Sequence, residues 1–274
     1  MKLDRIMAAM LSMAAVCTAA AVTACAEDAA GSVVFYAEKS VLGQGLVVEP
    51  VNVPFYEGET GIDIVKRAAE VLVTESEYGD YIEAFADTDN GAELPAEIAA
   101  AVPEMWGRNN EGYLSSYDYT AESGWNFFVN DESSMVGISA YEPVAGDVVC
   151  FRFSIYGYGS DLGIDNSSWG GSAALIEATD ETDLATLIAS SSDLEGTDAY
   201  TAALEALGAY NTSQDEIDAA CAALAPALDG EETSDSENIA PDKTSPDTGI
   251  ESVAVIAGAA LASAATLLVT RKRR

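Results

Sequence analysis

Apolar residues recur along this chain with two different periods, and the period changes near residue 170. In the first part they alternate as in strands. Val33-Val34-Phe35-Tyr36 and the run from Leu46 to Val53 read as short strands separated by Gly43-Gln44-Gly45, a turn. Glu57-Gly58-Glu59 then leads into a helix, with Thr60 placed to cap it and Asp63 three residues on as in a capping box. Ile64, Val65, Ala68, Ala69 and Leu72 make its apolar face. Further along, period two puts Trp125, Phe127 and Val129 on one face of a strand. Val149, Phe151, Phe153 and Ile155 do the same on the next, which leaves Cys150 and Arg152 pointing the other way. Asn130-Asp131 and Ala145-Gly146-Asp147 are turn-forming, so these strands belong to a small sheet.

Trp169-Gly170-Gly171 reads as a hinge, and helical spacing follows it. Leu175-Ile176 with Leu184 and Leu187-Ile188, Tyr200 with Ala203-Leu204 and Leu207, and Ile217 with Ala220-Cys221 and Leu224 give three amphipathic segments. Ser213 and Glu216 form a second capping box. The expectation is an α+β chain: a small β-rich domain with one main helix over residues 33–165, then a three-helix bundle over 172–228.

The two ends carry a different pattern. Lys2 and Arg5 precede an apolar run from Ile6 to Val22, and small residues at Ala24 and Ala26 precede Glu27-Asp28. This is the three-part order of a secretory signal peptide, residues 1–26, addressed to the secretion machinery. Cleavage after Ala26 fits, and so does lipid attachment at Cys25 through the lipobox-like Val22-Thr23-Ala24-Cys25. At the other end, an apolar run from Ile250 to Thr270 is followed by Arg271-Lys272-Arg273-Arg274. Its length suits a transmembrane helix, and the basic tail 271–274 suits the cytoplasmic side. Ahead of it, residues 229–244 are rich in acidic and hydroxyl side chains and nearly devoid of apolar ones, a disordered acidic spacer.

Between spacer and span stands Ser245-Pro246-Asp247-Thr248-Gly249. It resembles the sortase sorting signal of Gram-positive surface proteins, in which a Pro-x-Thr-Gly core precedes a membrane stop and a basic tail. The resemblance implies that a sortase attacks the Thr248–Gly249 bond and passes the threonine carbonyl to an amine of a peptidoglycan precursor. Ser245 stands where the commonest version has leucine, a departure that bears on which sortase class reads it. The expected location is extracellular and held to the cell wall, with a membrane-anchored stage before sortase processing.

Composition narrows the chemistry. Asp and Glu number 46 against 12 Lys and Arg, a formal charge of −34 over 274 residues, and six of those basic residues lie at the extreme ends. Nucleic acid is excluded as a partner, because binding it releases counterions only through Lys and Arg that the body lacks. Histidine is absent and only Cys150 and Cys221 lie outside the leader, so His/Cys zinc sites and imidazole-dependent nucleophiles are excluded. Those two thiols leave a single disulfide open without requiring it. Asp87-Thr88-Asp89-Asn90-Gly91 has its glycine at the fifth position where a calcium loop needs it at the sixth, and reads as an acidic turn. No paired carboxylates stand out and no phosphate loop exists; the chain reads as a non-enzyme without cofactor.

Gly58-Glu59-Thr60, Ser123-Gly124-Trp125 with Val129-Asn130, Gly146-Asp147-Val148 and the closing Tyr158-Gly159-Ser160-Asp161-Leu162-Gly163 are together similar to the transcobalamin C-terminal-like domain. That family is common in Gram-positive surface proteins, and its members fold as a β-rich domain with one helix, somewhat like a ubiquitin-type grasp. In vertebrate carriers it closes over cobalamin against a helical barrel that this chain does not encode. The resemblance implies a surface protein that presents a ligand-binding or adhesion domain to an unknown surface ligand, or alternatively one that captures cobalamin or a similar small molecule for a transporter. For a flat ligand the side chains near the sheet's end are Trp125, Asn130, Tyr156, Tyr158 and Trp169. Tyr200 to Leu228, centred on Ser213-Gln214-Asp215-Glu216, resembles the FIVAR module, a three-helix spacer or surface-binding unit.

Overall fold

A computed structural model describes residues 29–110 and 112–228. The signal segment with Ala24 and Ala26, the spacer 229–244, the motif Ser245 to Gly249, the span 250–270 and the tail 271–274 lie outside the described residues. Among the described residues no helix is long and apolar enough to cross a membrane.

Five strands form the main sheet: β1 (Gly31–Glu38), β2 (Leu46–Phe55), β6 (Gly124–Val129), β7 (Glu132–Ser133) and β8 (Val148–Ser154), in the order β2-β1-β8-β6-β7. Only β1 and β8 run parallel, with Val34 opposite Val148 and Glu38 opposite Arg152. These two lie at the centre of the sheet and are buried on both faces, which is why Val33-Val34-Phe35-Tyr36 reads as a nearly continuous apolar run. β2 takes an edge, where Pro50 and Pro54 interrupt no second ladder and blunt pairing with another chain.

A second sheet holds β3 (Val71–Thr74), β4 (Tyr81–Ala86) and β5 (Tyr113–Ser115), all antiparallel. Helix α1 (Gly61–Ala68) starts at the expected box, the Thr60 amide donating to Asp63 Oδ2 at 2.9 Å. It ends earlier than its apolar spacing suggests. Leu72 belongs instead to β3, flanked by Val71 and Val73, whose branched side chains favour a strand. A short helix, α2 (Ala96–Ala101), contributes the fully buried Ile98.

Three helices close the described chain: α3 (Thr182–Ser190), α4 (Asp198–Gly208) and α5 (Gln214–Leu228). They are not the separate bundle expected for 172–228. Leu184, Ile188, Tyr200, Ala203, Leu207, Ile217 and Leu224 join Val34, Tyr36 and Cys150 in one core on one face of the main sheet. On the opposite face Val33, Phe35, Val149 and Phe151 pack with Ile62, Ile64 and Val65 of α1 and with Ile82 and Phe85 of β4. The result is three layers, with the main sheet in the middle.

Because helices cover that face, Arg152 does not reach solvent as alternation alone suggests. It is 5% exposed and meets three carboxylates: Nη2 contacts Asp131, lies 2.8 Å from Glu181 Oε2, and Nε lies 3.1 Å from Glu38 Oε1. Nη2 also donates to Tyr36 Oη at 2.9 Å, the Tyr36 hydroxyl donates to Glu181 at 3.0 Å, and the guanidinium stands 4.8 Å over the Phe128 ring. Asp131, in a left-handed turn conformation, accepts the Glu181 amide and the Thr182 hydroxyl at the start of α3. One arginine thus ties β1, β8, the β6–β7 turn and the helical layer together.

Burial first, and the nearby Glu181 charge second, push the Glu38 carboxyl up to about 8. The folded chain therefore holds a proton that an unfolded glutamate, ordinarily near 4.5, has released. The sign follows: between those values the native state binds more protons, so stability falls as pH rises. Denaturant melts should show the urea midpoint increasing steadily from pH 8 to pH 5. Arg152→Met should cost about 3–5 kcal/mol at pH 8, where its removal strands buried charge, and clearly less at pH 5.

Candidate ligand-binding site

At the end of the main sheet where β8 finishes and β6 begins, two loops are held by buried carboxylates. In the first, residues 155–171, Asp161 is fully buried and accepts the Ile155 amide at 2.8 Å, the Tyr156 amide at 3.2 Å and the Ser154 hydroxyl at 2.6 Å. Burial pushes its carboxyl up to about 6, while these hydrogen bonds pull the other way. The loop then passes through three consecutive left-handed residues, Gly157, Tyr158 and Gly159, with φ of 60°, 54° and 101°. A Cβ at Gly159 would sit 2.6 Å from the Ile164 side chain, so the position is closed to other residues. Asn166 secures the turn by donating to Gly157 O at 2.8 Å, and its own carbonyl accepts the Trp169 amide at 3.0 Å.

The second comprises the loops on either side of β5, residues 102–110 and 116–123. Asp118, also fully buried, accepts the amides of Asn109 at 2.7 Å and Ser115 at 2.8 Å. Tyr117 and Tyr119 on either side of it adopt φ of 65° and 69°, a strained state for residues with a bulky side chain. The Trp106 indole donates to Tyr117 O at 3.0 Å. Arg108 fixes the loop from below, reaching Asp87 Oδ2 at 2.6 Å and the Tyr119 hydroxyl at 3.0 Å, while Lys39 holds both oxygens of Asp87 at 2.7 Å. Two bonds join the loops: the Thr120 hydroxyl to Ile155 O at 2.7 Å, and the Gly157 amide to Glu122 Oε2 at 2.8 Å.

Four aromatic side chains stand out from this stitched end: Trp106, Tyr117, Tyr158 and Trp169, the last 88% exposed. Exposed rings on loops whose backbones are tied by buried polar groups have little entropy left to lose on binding. Among the five residues proposed from sequence, Tyr158 and Trp169 lie here, joined through Asn166. Tyr156 lies in the same loop but packs half-buried against the helical side of the core.

The other two are structural. Trp125 donates to Leu114 O at 2.9 Å and packs between the sheets, its ring centroid 4.5 Å from Phe85 and 5.1 Å from Phe153. Asn130 is a left-handed turn residue whose side chain accepts the Val148 amide at 2.8 Å and donates to Asp147 at 3.0 Å. Trp106 escaped sequence reading because the stretch around it shows no period, and its neighbours Gly107 and Asn109 were the available signal; Tyr117, between Ser116 and Asp118, carries no such signal. The disulfide left open is not formed: Cys150 lies buried within the sheet, its thiol pushed up to about 12 by burial, and Cys221 is a free thiol on α5.

Residues 111–154, from β5 through β8, match the family described as Domain of unknown function (DUF4430). No curated protein matches the chain. A solved structure titled "Crystal Structure of Haptocorrin in Complex with Cbi" is similar at 15% identity and a TM-score of 0.30, over 46% of this chain. The matched part corresponds to 25% of that chain's length.

Asp161→Ala removes the acceptor of three hydrogen bonds at the foot of the first loop. It should destabilise the fold by roughly 3 kcal/mol, since it strands two amides and a hydroxyl. Hydrogen exchange should speed at Ile155 and Tyr156 while amides of β1 keep their relative protection.

Proposed function

We propose that this chain is a non-enzymatic surface protein whose three-layer α+β body presents its aromatic end to a ligand with a flat apolar face. The observation that carries the reading is the pair Tyr158 and Trp169: two exposed rings on a loop that Asp161, Asn166 and two left-handed glycines hold in one conformation. Backbone strain of this kind at exposed aromatics is characteristic of binding sites, where the fold over-determines an otherwise unfavourable geometry. Trp106 and Tyr117 extend the same surface through the second loop. Sugars, with apolar C–H faces, and corrinoids, with an extended planar ring, both meet the requirement of stacking. Adhesion to a glycan is the favoured reading, and capture of cobalamin or a similar small molecule is the alternative drawn from the sequence resemblance.

Export and anchoring complete the proposal. The leader 1–26 directs secretion, the motif Ser245 to Gly249 is cut by a sortase between Thr248 and Gly249, and the spacer 229–244 holds the body clear of the peptidoglycan. The charge of −34 supports the reading, keeping the chain soluble and apart from its neighbours at a crowded surface.

Binding is tested by the intrinsic fluorescence of Trp169 and Trp106 during titration with oligosaccharides and, separately, with a corrinoid. The expected result is quenching that the double variant Tyr158→Ser/Trp169→Ala weakens at least tenfold while its melting temperature stays unchanged, since both rings are exposed. A response to the corrinoid alone selects the capture reading. No response to either, or one indifferent to the double variant, removes the site. Anchoring is tested by mass spectrometry of wall digests, where Thr248 should appear joined to a peptidoglycan peptide; chains recovered intact to Arg274 contradict it.

A further inference from the structure

Helices α3 and α5 leave a groove of about 430 Å³ between them, lined by none of the aromatic residues of the candidate site. Leu187 from α3 and Cys221 and Ala225 from α5 form its apolar floor, none of them fully buried. Asp180, Asp183 and Asp218 stand around its rim. Ala222 and Ala225 of α5 also line it, small enough for another backbone to come close there.

The charge around the groove has one sign. From residue 153 to residue 228 the chain contains thirteen Asp and Glu and not one Lys or Arg. The basic side chains of the described body are engaged elsewhere: Lys39, Arg108 and Arg152 are in buried ion pairs, Arg67 pairs with Glu59, and Lys66 sits on α1 across the main sheet. An apolar trough between two helices, whose margin holds three aspartates and the uncharged Gln214, is complementary to an object that is apolar along one stripe and cationic beside it. A helix laid along α3 and α5 has that form, its apolar side chains at i, i+3, i+4 and i+7 entering the floor and its Lys or Arg reaching the aspartates.

We infer that the α3–α5 groove is a docking site for a cationic amphipathic helix of another polypeptide. The occupant binds as an additional helix of the layer and neutralises Asp180, Asp183 and Asp218. The site is separate from the aromatic end, and either can exist without the other.

The test uses the full chain in zwitterionic nanodiscs, with empty nanodiscs as reference, and a fluorophore-labelled helical peptide of about 18 residues, long enough to span the 15-residue α5. The peptide carries Leu on one stripe and Lys elsewhere. Two controls accompany it: one with Glu replacing every Lys, one with the same composition but its leucines scattered around the helix. Fluorescence anisotropy should report binding of the first peptide alone. Asp183→Asn/Asp218→Asn, at exposed positions, should weaken it about tenfold and flatten its salt dependence. Ala222→Trp, also exposed, fills the groove and should weaken binding more than tenfold with an unchanged circular dichroism spectrum.

Equal binding of the scattered peptide, or binding indifferent to these variants, means general attraction to an anionic surface and overturns the inference. Binding that appears only after residues 229–274 are removed identifies the chain's own tail as occupant and overturns it as well. So does self-association of the chain that Ala222→Trp abolishes, which assigns the groove to a second copy.

Discussion

Arg152 is the constraint on which the rest of this structure depends. It is the only basic residue in β8, it lies in the centre of the sheet, and it is surrounded by Glu38, Asp131 and Glu181. Bringing three carboxylates into a low-dielectric interior is expensive, and one guanidinium cannot balance all of them as charges. The fold resolves this by protonation and by hydrogen bonding: Glu38 stays protonated well above the usual carboxylate range, Tyr36 donates to Glu181, and Asp131 takes an amide and a hydroxyl from the start of α3. A buried ion cluster is weak evidence for stability compared with apolar packing, but it is directional. It defines where α3 begins and which way the helical layer lies across β1 and β8, which apolar contacts alone do not specify.

That directionality accounts for what could and could not be read from the sequence. Elements whose signals are local were legible: the Thr60–Asp63 and Ser213–Glu216 boxes, the neighbouring strands β6 and β8, and the helical period from residue 182, although Leu175-Ile176 lie outside any helix. What was not legible is long-range. Arg152 lies between apolar neighbours at the spacing of an ordinary half-exposed strand, and nothing nearby announces Glu181, 29 residues on, as its partner. The three helices carry their own apolar faces, so they read as a unit able to bury itself; only the parallel pairing of β1 with β8 shows that a second sheet face needed cover. Parallel pairing brings together segments more than a hundred residues apart, and periodicity is blind to it.

The candidate site divides in the same way. Trp125 and Asn130 sit in the stretch with the strongest sequence signal, and that strength came from packing and turn formation rather than from ligand contact. Tyr158 and Trp169 were marked, like the others, as side chains near the sheet's end, and they stand among glycines in irregular chain. Trp106 has a similar setting beside Gly107 and Asn109, but Tyr117 stands between Ser116 and Asp118; both are held in the second segment by Arg108, Asp118 and the two bonds that join it to the first loop. A ring on an irregular segment is thus a better pointer to the surface site than a ring on a well-formed strand.

The distribution of charge follows from these interior demands. Five basic residues serve the described body, and three of them are consumed holding buried carboxylates in place at Asp87 and around Arg152. Each is therefore a structural part, and the exterior is left anionic almost without relief. A surface of one sign repels its own copies and repels polyanions, which suits dense display. It also sets the terms on which anything approaches: a partner must either bring positive charge or bind where uncharged rings project beyond the carboxylates. The body offers one feature of each kind, the acid-rimmed groove between α3 and α5 and the aromatic end beyond β8, on surfaces that share no residues.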